Sequence, residues 1–123
     1  MLQQVTNHFR NSSTLLEAPI LFHYENNVCK VTLNRPKILN AQSLELLQSL
    51  RKEAGQWEQD NNTRVAIFTG AGKAFCVGAD LKWMYEGRND EKGRELTYSF
   101  FRTQYSMDYE ISEMRNTIQV VFW

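Results

Sequence analysis

Two β-prone runs begin the part of the chain with clear periodicity. Pro19-Ile20-Leu21-Phe22-His23-Tyr24 and the partly alternating Val28-Cys29-Lys30-Val31-Thr32-Leu33 each predict a strand. Glu25-Asn26-Asn27 between them carries residues that hairpin turns use. Asn34-Arg35-Pro36-Lys37 stops the sheet, because Pro36 has no N–H to donate and biases Arg35 to an extended conformation. The period then changes. From Ser43 to Gln59, Leu47, Leu50, Ala54 and Trp57 recur at helical spacing with Leu46 widening the stripe, which predicts a helix capped by Asn40 or Ser43. Asp60-Asn61-Asn62 ends that helix, and Arg64 to Phe68 predicts a third strand. Strand, helix, strand at this length predicts parallel pairing of the flanking strands.

The third strand runs into Thr69-Gly70-Ala71-Gly72-Lys73-Ala74-Phe75-Cys76-Val77-Gly78-Ala79-Asp80, a loop of small residues ending on a residue that caps helices. Asp80 to Glu86 predicts a short helix, and Gly87 to Gly93 a polar, mobile connector. A long helix is expected from Arg94 to Arg115. Leu96, Phe100, Met107 and Ile111 form one stripe on it, and Phe101, Tyr105 and Tyr109 a neighbouring one, so a wide apolar face calls for a large packing partner. Ile118 to Trp123 predicts a last strand. The order of elements is that of an α/β domain.

Composition narrows the function classes. Lys+Arg and Asp+Glu number 14 each, so the net charge is zero and the basic excess of a nucleic-acid-binding surface is missing. No apolar run approaches the ~20 residues of a membrane span. A length of 123 residues suits one domain with a modest core, and no internal repeat divides it. Met1 to Leu16 holds no acidic residue and a single arginine, Arg10, a composition shared by transit peptides and plain extensions. The expected division is therefore an extension over residues 1–17 and a domain over residues 18–123. Cys29 and Cys76 make neither a disulfide framework nor a Cys/His metal cluster, so reduced thiols and no metal are expected.

The chemistry concentrates in the loop. A strand, a glycine loop and a helix start aim backbone N–H groups at one point, which suits a phosphate or a developing oxyanion. A P-loop is excluded, because Ala74 stands where Ser or Thr would hold magnesium and Ile67 where the first glycine would be. A dinucleotide fingerprint fails for want of a third glycine. His8 and His23 lie far from the loop in sequence, and no nucleophile elbow accompanies them. His23 is expected to be a half-buried strand residue, Cys76 a small packing residue and Asp80 a helix cap. Arg88, Lys92, Arg94 and Arg102 read as a solvated face with the option of an anionic ligand.

Two stretches carry a family resemblance. Val31-Thr32-Leu33-Asn34-Arg35-Pro36-Lys37-Ile38-Leu39-Asn40-Ala41 and Thr69 through Lys82 resemble two motifs of the crotonase (enoyl-CoA hydratase/isomerase) superfamily, with Trp57-Glu58-Gln59-Asp60 ending the helix between them. The likeness runs from about Pro19 to Trp123. It implies the N-terminal portion of a crotonase-type ββα spiral, an incomplete domain. Phe100-Phe101-Arg102 with Tyr105 looks like the 3-hydroxyisobutyryl-CoA hydrolase branch, which serves valine catabolism. Two departures stand out: Gly78-Ala79-Asp80 has the hydratase spelling, and Gln104 replaces a substrate-contacting glutamate.

The resemblance implies that the Ala79 N–H is one of two oxyanion-hole donors to an acyl-CoA thioester. Main-chain groups around Ala74, Val77, Gly78, Asp80 and Leu81 would hold coenzyme A, which is part of the substrate, so no separate cofactor is expected. Lys37 would meet CoA phosphates, and Gln104 the acyl group. The family's second donor follows the strand in which this sequence ends, its acids lie in or beyond that turn, and Asn116-Thr117 stand where the family has Lys-Pro. The expectation is a truncated hydrolase, poorly active or inactive. The alternatives are an enoyl-CoA hydratase/isomerase, or a non-catalytic fragment that binds CoA or associates with subunits. Family enzymes are commonly homo-oligomers. A mitochondrial location is expected, with the cytoplasm as the alternative.

Overall fold

A two-residue turn closes the hairpin. In the computed structural model, which describes residues 17–114 and 120–122, β1 spans Ile20–Glu25 and β2 Val28–Leu33. They pair antiparallel, with Ile20 opposite Leu33 and Glu25 opposite Val28. Asn26 and Asn27 between them have φ of 49° and 66°. A tight hairpin of the type I′ family needs positive φ at both positions, and Asn tolerates it. Alternation turns Ile20, Phe22 and Tyr24 toward the core. It therefore turns His23 outward, against the half-buried place expected for it: His23 and Glu25 are exposed and lie 4.0 Å apart.

Pro36–Ile38 form a single 3-10 turn, and Leu39 and Asn40 follow in the left-handed region at φ 56° and 58°. This reversal starts α1, Leu44–Asp60. Of the two expected caps, Ser43 does the work, its Oγ accepting from the Leu46 N–H at 3.2 Å. The predicted stripe is the buried one: Leu46, Leu47, Leu50, Ala54 and Trp57. Asn61, at φ 54°, ends the helix. β3, Val65–Gly70, runs two residues past the expected end. It pairs parallel to β2 from Val28–Val65 to Leu33–Gly70. β4, Val120–Phe122, lies parallel on its other side, giving a sheet ordered β1-β2-β3-β4. Residues 1–16 of the expected extension over 1–17, and Ile118, Gln119 and Trp123 of the expected last strand, lie outside the described residues.

The connector is shorter than its polarity implied. α2 spans Leu81–Gly87 and α3 Glu91–Ser112, leaving only Arg88, Asn89 and Asp90 between them. Asp90 caps α3 by accepting from the Gly93 N–H at 3.1 Å, so the helix starts three residues before Arg94. Arg88 lies with its guanidinium 3.6 Å from the centre of the Tyr85 ring.

The core lies between one face of the sheet and the helices α1 and α3. It joins Cys29, Val31 and Leu33 of β2 and Ala66 of β3 to the α1 stripe, Phe100 and Met107. Full burial of a side chain such as Leu46 contributes roughly 1.5–3 kcal/mol. A polar link runs through this apolar layer: Trp57 Nε1 donates to Tyr24 Oη at 2.8 Å, and that hydroxyl donates to the Glu53 carboxylate. Burial, then the bond to Glu53, raises the Tyr24 hydroxyl pKa above its ordinary value. Burial pushes the Cys29 thiol up to about 11, partly offset by its hydrogen bond with Tyr24.

α3 carries two apolar faces rather than one wide one. At about 100° per residue, the centre of the Leu96, Phe100, Met107 and Ile111 stripe lies some 150° from that of Tyr98, Phe101, Tyr105 and Tyr109. Phe100 and Met107 are buried, whereas the aromatic face is exposed, Tyr98 to 74% and Tyr105 to 67%. Phe101 and Tyr105 stack at 6.3 Å on that outer face. At its inner flank α3 is tied to α1 by a two-pronged ion pair, Arg51 Nε and Nη2 donating to Glu110 at 2.9 and 2.5 Å.

Candidate functional site

The glycine loop leaves β3 where the chain must pass close over itself. A Cβ on Gly70 would lie 2.5 Å from the carbonyl oxygens of Ala74 and Phe75, so only glycine permits the loop to fold back there. Pro36 of the 3-10 turn lies against Gly72, which places the first motif beside the loop. Lys37 is exposed on that turn, and Ala74 is half-buried in the loop.

Asn40 fastens the two stretches together. Its side chain is fully buried. Its Nδ2 donates to the carbonyls of Ala71 at 2.9 Å and Ala74 at 2.8 Å, while its Oδ1 accepts from the Arg35 N–H at 2.8 Å. Three part-buried backbone groups are thereby satisfied by one amide. The left-handed backbone of Leu39 and Asn40 turns that amide inward, a strained arrangement of the kind that persists where surrounding contacts enforce it. Sequence pattern offered Asn40 only as an alternative helix cap; its signal was an Asn placed a few residues after a proline turn.

The far end of the loop is held by a backbone bridge. The Gln42 N–H donates to the Gly78 carbonyl at 2.8 Å, and the Asp80 N–H donates to the Gln42 carbonyl at 3.0 Å. This is a parallel bridge between Gln42 and Ala79. In that pattern the groups of residues 78 and 80 pair with Gln42, so the N–H and C=O of Ala79 point the other way. The Ala79 carbonyl accepts from the Leu81 N–H at 2.9 Å. Among the described residues its N–H has no hydrogen-bond partner. Gly78, at φ +93°, takes the left-handed turn that brings the chain into the bridge. Its own N–H lies 3.3 Å from Cys76 Sγ, and Cys76 packs against the core as expected.

Asp80 caps α2, as its place in the sequence implied: Oδ1 accepts from the Trp83 N–H at 3.1 Å. Its Oδ2 also accepts from Arg35 Nη2 at 3.1 Å, a half-buried ion pair that the sequence did not announce. Two residues to either side of Ala79 in sequence, Val77 and Leu81 are exposed to 56% and 70%, and Ile38 of the 3-10 turn is exposed to 43%. The structure thus brings Lys37, Ala74, Val77, Gly78, Ala79, Asp80 and Leu81 into one neighbourhood. Gln104 is half-buried on α3, with no hydrogen bond to the loop among the described residues. A groove of about 440 Å³ between α1 and α3, lined by Gln48, Arg51, Lys52 and Glu110 among others, is separate from this neighbourhood. No group of three or more metal-ligating side chains occurs among the described residues, and no helix there is long and apolar enough to cross a membrane.

Chemically, the arrangement presents a directed backbone donor with no partner among the described residues, close in sequence to the exposed side chains of Val77 and Leu81. Comparison with known proteins assigns the chain to a family. The sequence profile of the enoyl-CoA hydratase/isomerase family matches residues 28–123. A mitochondrial 3-hydroxyisobutyryl-CoA hydrolase of Rattus norvegicus is 35% identical over 109 residues, covering 88% of this chain and 28% of that protein. Among solved structures, Pseudomonas aeruginosa AtuE matches with a TM-score of 0.72 and 28% identity, over 83% of this chain and 39% of that one. A carnitinyl-CoA dehydratase of Mycobacterium thermoresistibile matches in fold, with a TM-score of 0.75 and 24% identity over 83% of this chain and 30% of that one. The chain thus spans a little over a quarter of the length of the curated relatives it matches. With the family profile covering most of the sequence and the crotonase fold reproduced around the two motifs, the chain belongs to the enoyl-CoA hydratase/isomerase (crotonase) family.

Proposed function

We propose that the loop from Thr69 to Lys82 binds an acyl-CoA thioester, and that the protein carrying it hydrolyses 3-hydroxyisobutyryl-CoA. One observation carries this reading: the Ala79 N–H is unpartnered among the described residues and is held in direction by the bridge on either side of it. A fixed N–H near apolar surface stabilises the negative charge that develops on a thioester oxygen as water attacks, without having to reorganise. One such donor typically contributes about 2.7–4 kcal/mol to the transition state. Val77, Leu81 and Ile38 offer the exposed apolar surface along which a pantetheine arm would lie. Main-chain groups from Ala74 to Leu81 and the exposed Lys37 would take its polar and phosphate parts, and Gln104 would face the acyl group. The identity to hydrolases named for 3-hydroxyisobutyryl-CoA supports the substrate, and their mitochondrial designation supports that compartment.

A hydratase or isomerase is the second reading, favoured by Gly78-Ala79-Asp80 in its hydratase spelling. The protein bearing this sequence should release CoA thiol from 3-hydroxyisobutyryl-CoA faster than it hydrates crotonyl-CoA. The reverse order of rates would transfer the assignment to the hydratases. Calorimetric titration of the 123-residue chain with CoA should give measurable heat, and none would sink the binding reading itself.

A further inference from the structure

Arg35 reaches further across the site than its place before a proline foretells. Its N–H donates to Asn40 Oδ1, and its carbonyl accepts from the N–H groups of Ile38 and Asn40 at 3.1 and 2.9 Å. Its guanidinium spans two targets: Nη1 donates to the Ala41 carbonyl at 2.5 Å and Nη2 to Asp80 Oδ2 at 3.1 Å. Both charged side chains are largely withdrawn from solvent, at 23% and 15% exposure, so this is not a salt-screened surface pair.

Asp80 is consequently gripped from three directions: by Arg35 on one carboxylate oxygen, by the Trp83 N–H on the other, and by the Gln42 carbonyl on its own N–H. The residue before Ala79 is held through its backbone, the Gly78 carbonyl accepting from the Gln42 N–H at 2.8 Å. Gly78 has no side chain, and no atom lies within 4 Å of where its Cβ would be. The bridge to Gln42 thus holds the Ala79 amide from both sides, and on the Asp80 side the Arg35 side chain reinforces that hold.

We propose that Arg35 is a positioning residue for the Ala79 N–H, acting through Asp80. The inference rests on the reading of Ala79 as the thioester donor. An oxyanion donor works only when held within about 0.5 Å and 10–20° of its productive direction. Arg suits the task because its planar fork engages the Ala41 carbonyl and the Asp80 carboxylate together, whereas a lysine offers a single ammonium point.

A uniformly 15N-labelled full chain tests this, with acetyl-CoA and free CoA as probes. In the wild type, acetyl-CoA should move the Ala79 amide signal about threefold more than free CoA does, since only the thioester brings a carbonyl oxygen. In Arg35→Lys that excess should shrink at least about threefold, and exchange of the Asp80 N–H should accelerate at least about tenfold, while the Ala66 amide in β3 keeps its rate. Asp80→Asn keeps a cap oxygen for Trp83 and removes the charge partner. It should reproduce both changes, and it serves if Arg35→Lys does not fold. Unchanged Asp80 exchange and an unchanged Ala79 response in the folded variants would overturn the proposal. A wild-type Ala79 signal indifferent to acetyl-CoA would overturn the thioester reading itself, a failure visible before any substitution is made.

Discussion

At the scale of single residues, the site depends on a few groups with no substitute. Asn40→Ala would remove the partner of the part-buried carbonyls of Ala71 and Ala74 and of the Arg35 N–H. With roughly 1–3 kcal/mol per unsatisfied group when fully buried, and these groups only part-buried, the variant should lose about 1–3 kcal/mol in urea unfolding. Gly70→Ala puts a methyl into two backbone carbonyls, which cannot swing aside as a side chain can. A destabilisation of at least about 1–3 kcal/mol is expected, together with shifted amide signals from Ala71 to Phe75. Cys29 adds a pH dependence. Its folded thiol holds its proton up to about 11, against about 9 ordinarily. Between these values the folded state binds a proton that the unfolded state has released, so stability is full below about pH 9 and falls as pH rises through about 11, by roughly 1–3 kcal/mol. The raised Tyr24 hydroxyl acts in the same direction. Urea unfolding across that window checks it, and Cys29→Ala should show a shallower decline.

At the scale of elements, α1 and α3 illustrate two uses of helical period. α1 has one buried stripe and a single side-chain cap, so Ser43→Ala should cost about 0.5–2 kcal/mol and Ser43→Asp should retain most of the stability. α3 has a buried face and an exposed aromatic one. Phe100→Ala should cost about 3–5 kcal/mol, while Tyr105→Gln should stay within about 0.5 kcal/mol of the wild type. Equal losses from the two substitutions would contradict the separation of the faces. Helical spacing alone revealed both stripes. Their opposed placement follows from the same spacing once the helix forms, whereas which of them is buried depends on where the sheet and α1 lie.

At the scale of the molecule, β2, β3 and α1 supply most of the buried core, whereas α2 has no buried residue. Amide exchange should therefore be slowest for Cys29, Val31 and Ala66 and fastest, among the helices, for α2. Much of this frame was legible in the chain. Period-two runs marked the hairpin, the Leu46 to Trp57 stripe marked α1, and their order implied the parallel pairing of β2 and β3. The sequence also located the loop, because small residues and glycines after a buried strand leave backbone N–H groups open. What it could not contain was the partnership between distant residues. Arg35 meets Asp80 across 45 positions, Asn40 meets Ala71 across 31, and Gln42 bridges Ala79. Local propensity is read within a few residues, whereas these contacts exist only because the parallel strands β2 and β3 end side by side and deliver both motifs to one edge of the sheet. The sequence by itself determined the elements and the loop; the tertiary structure decided how the Ala79 N–H of that loop is directed and which residues hold it there.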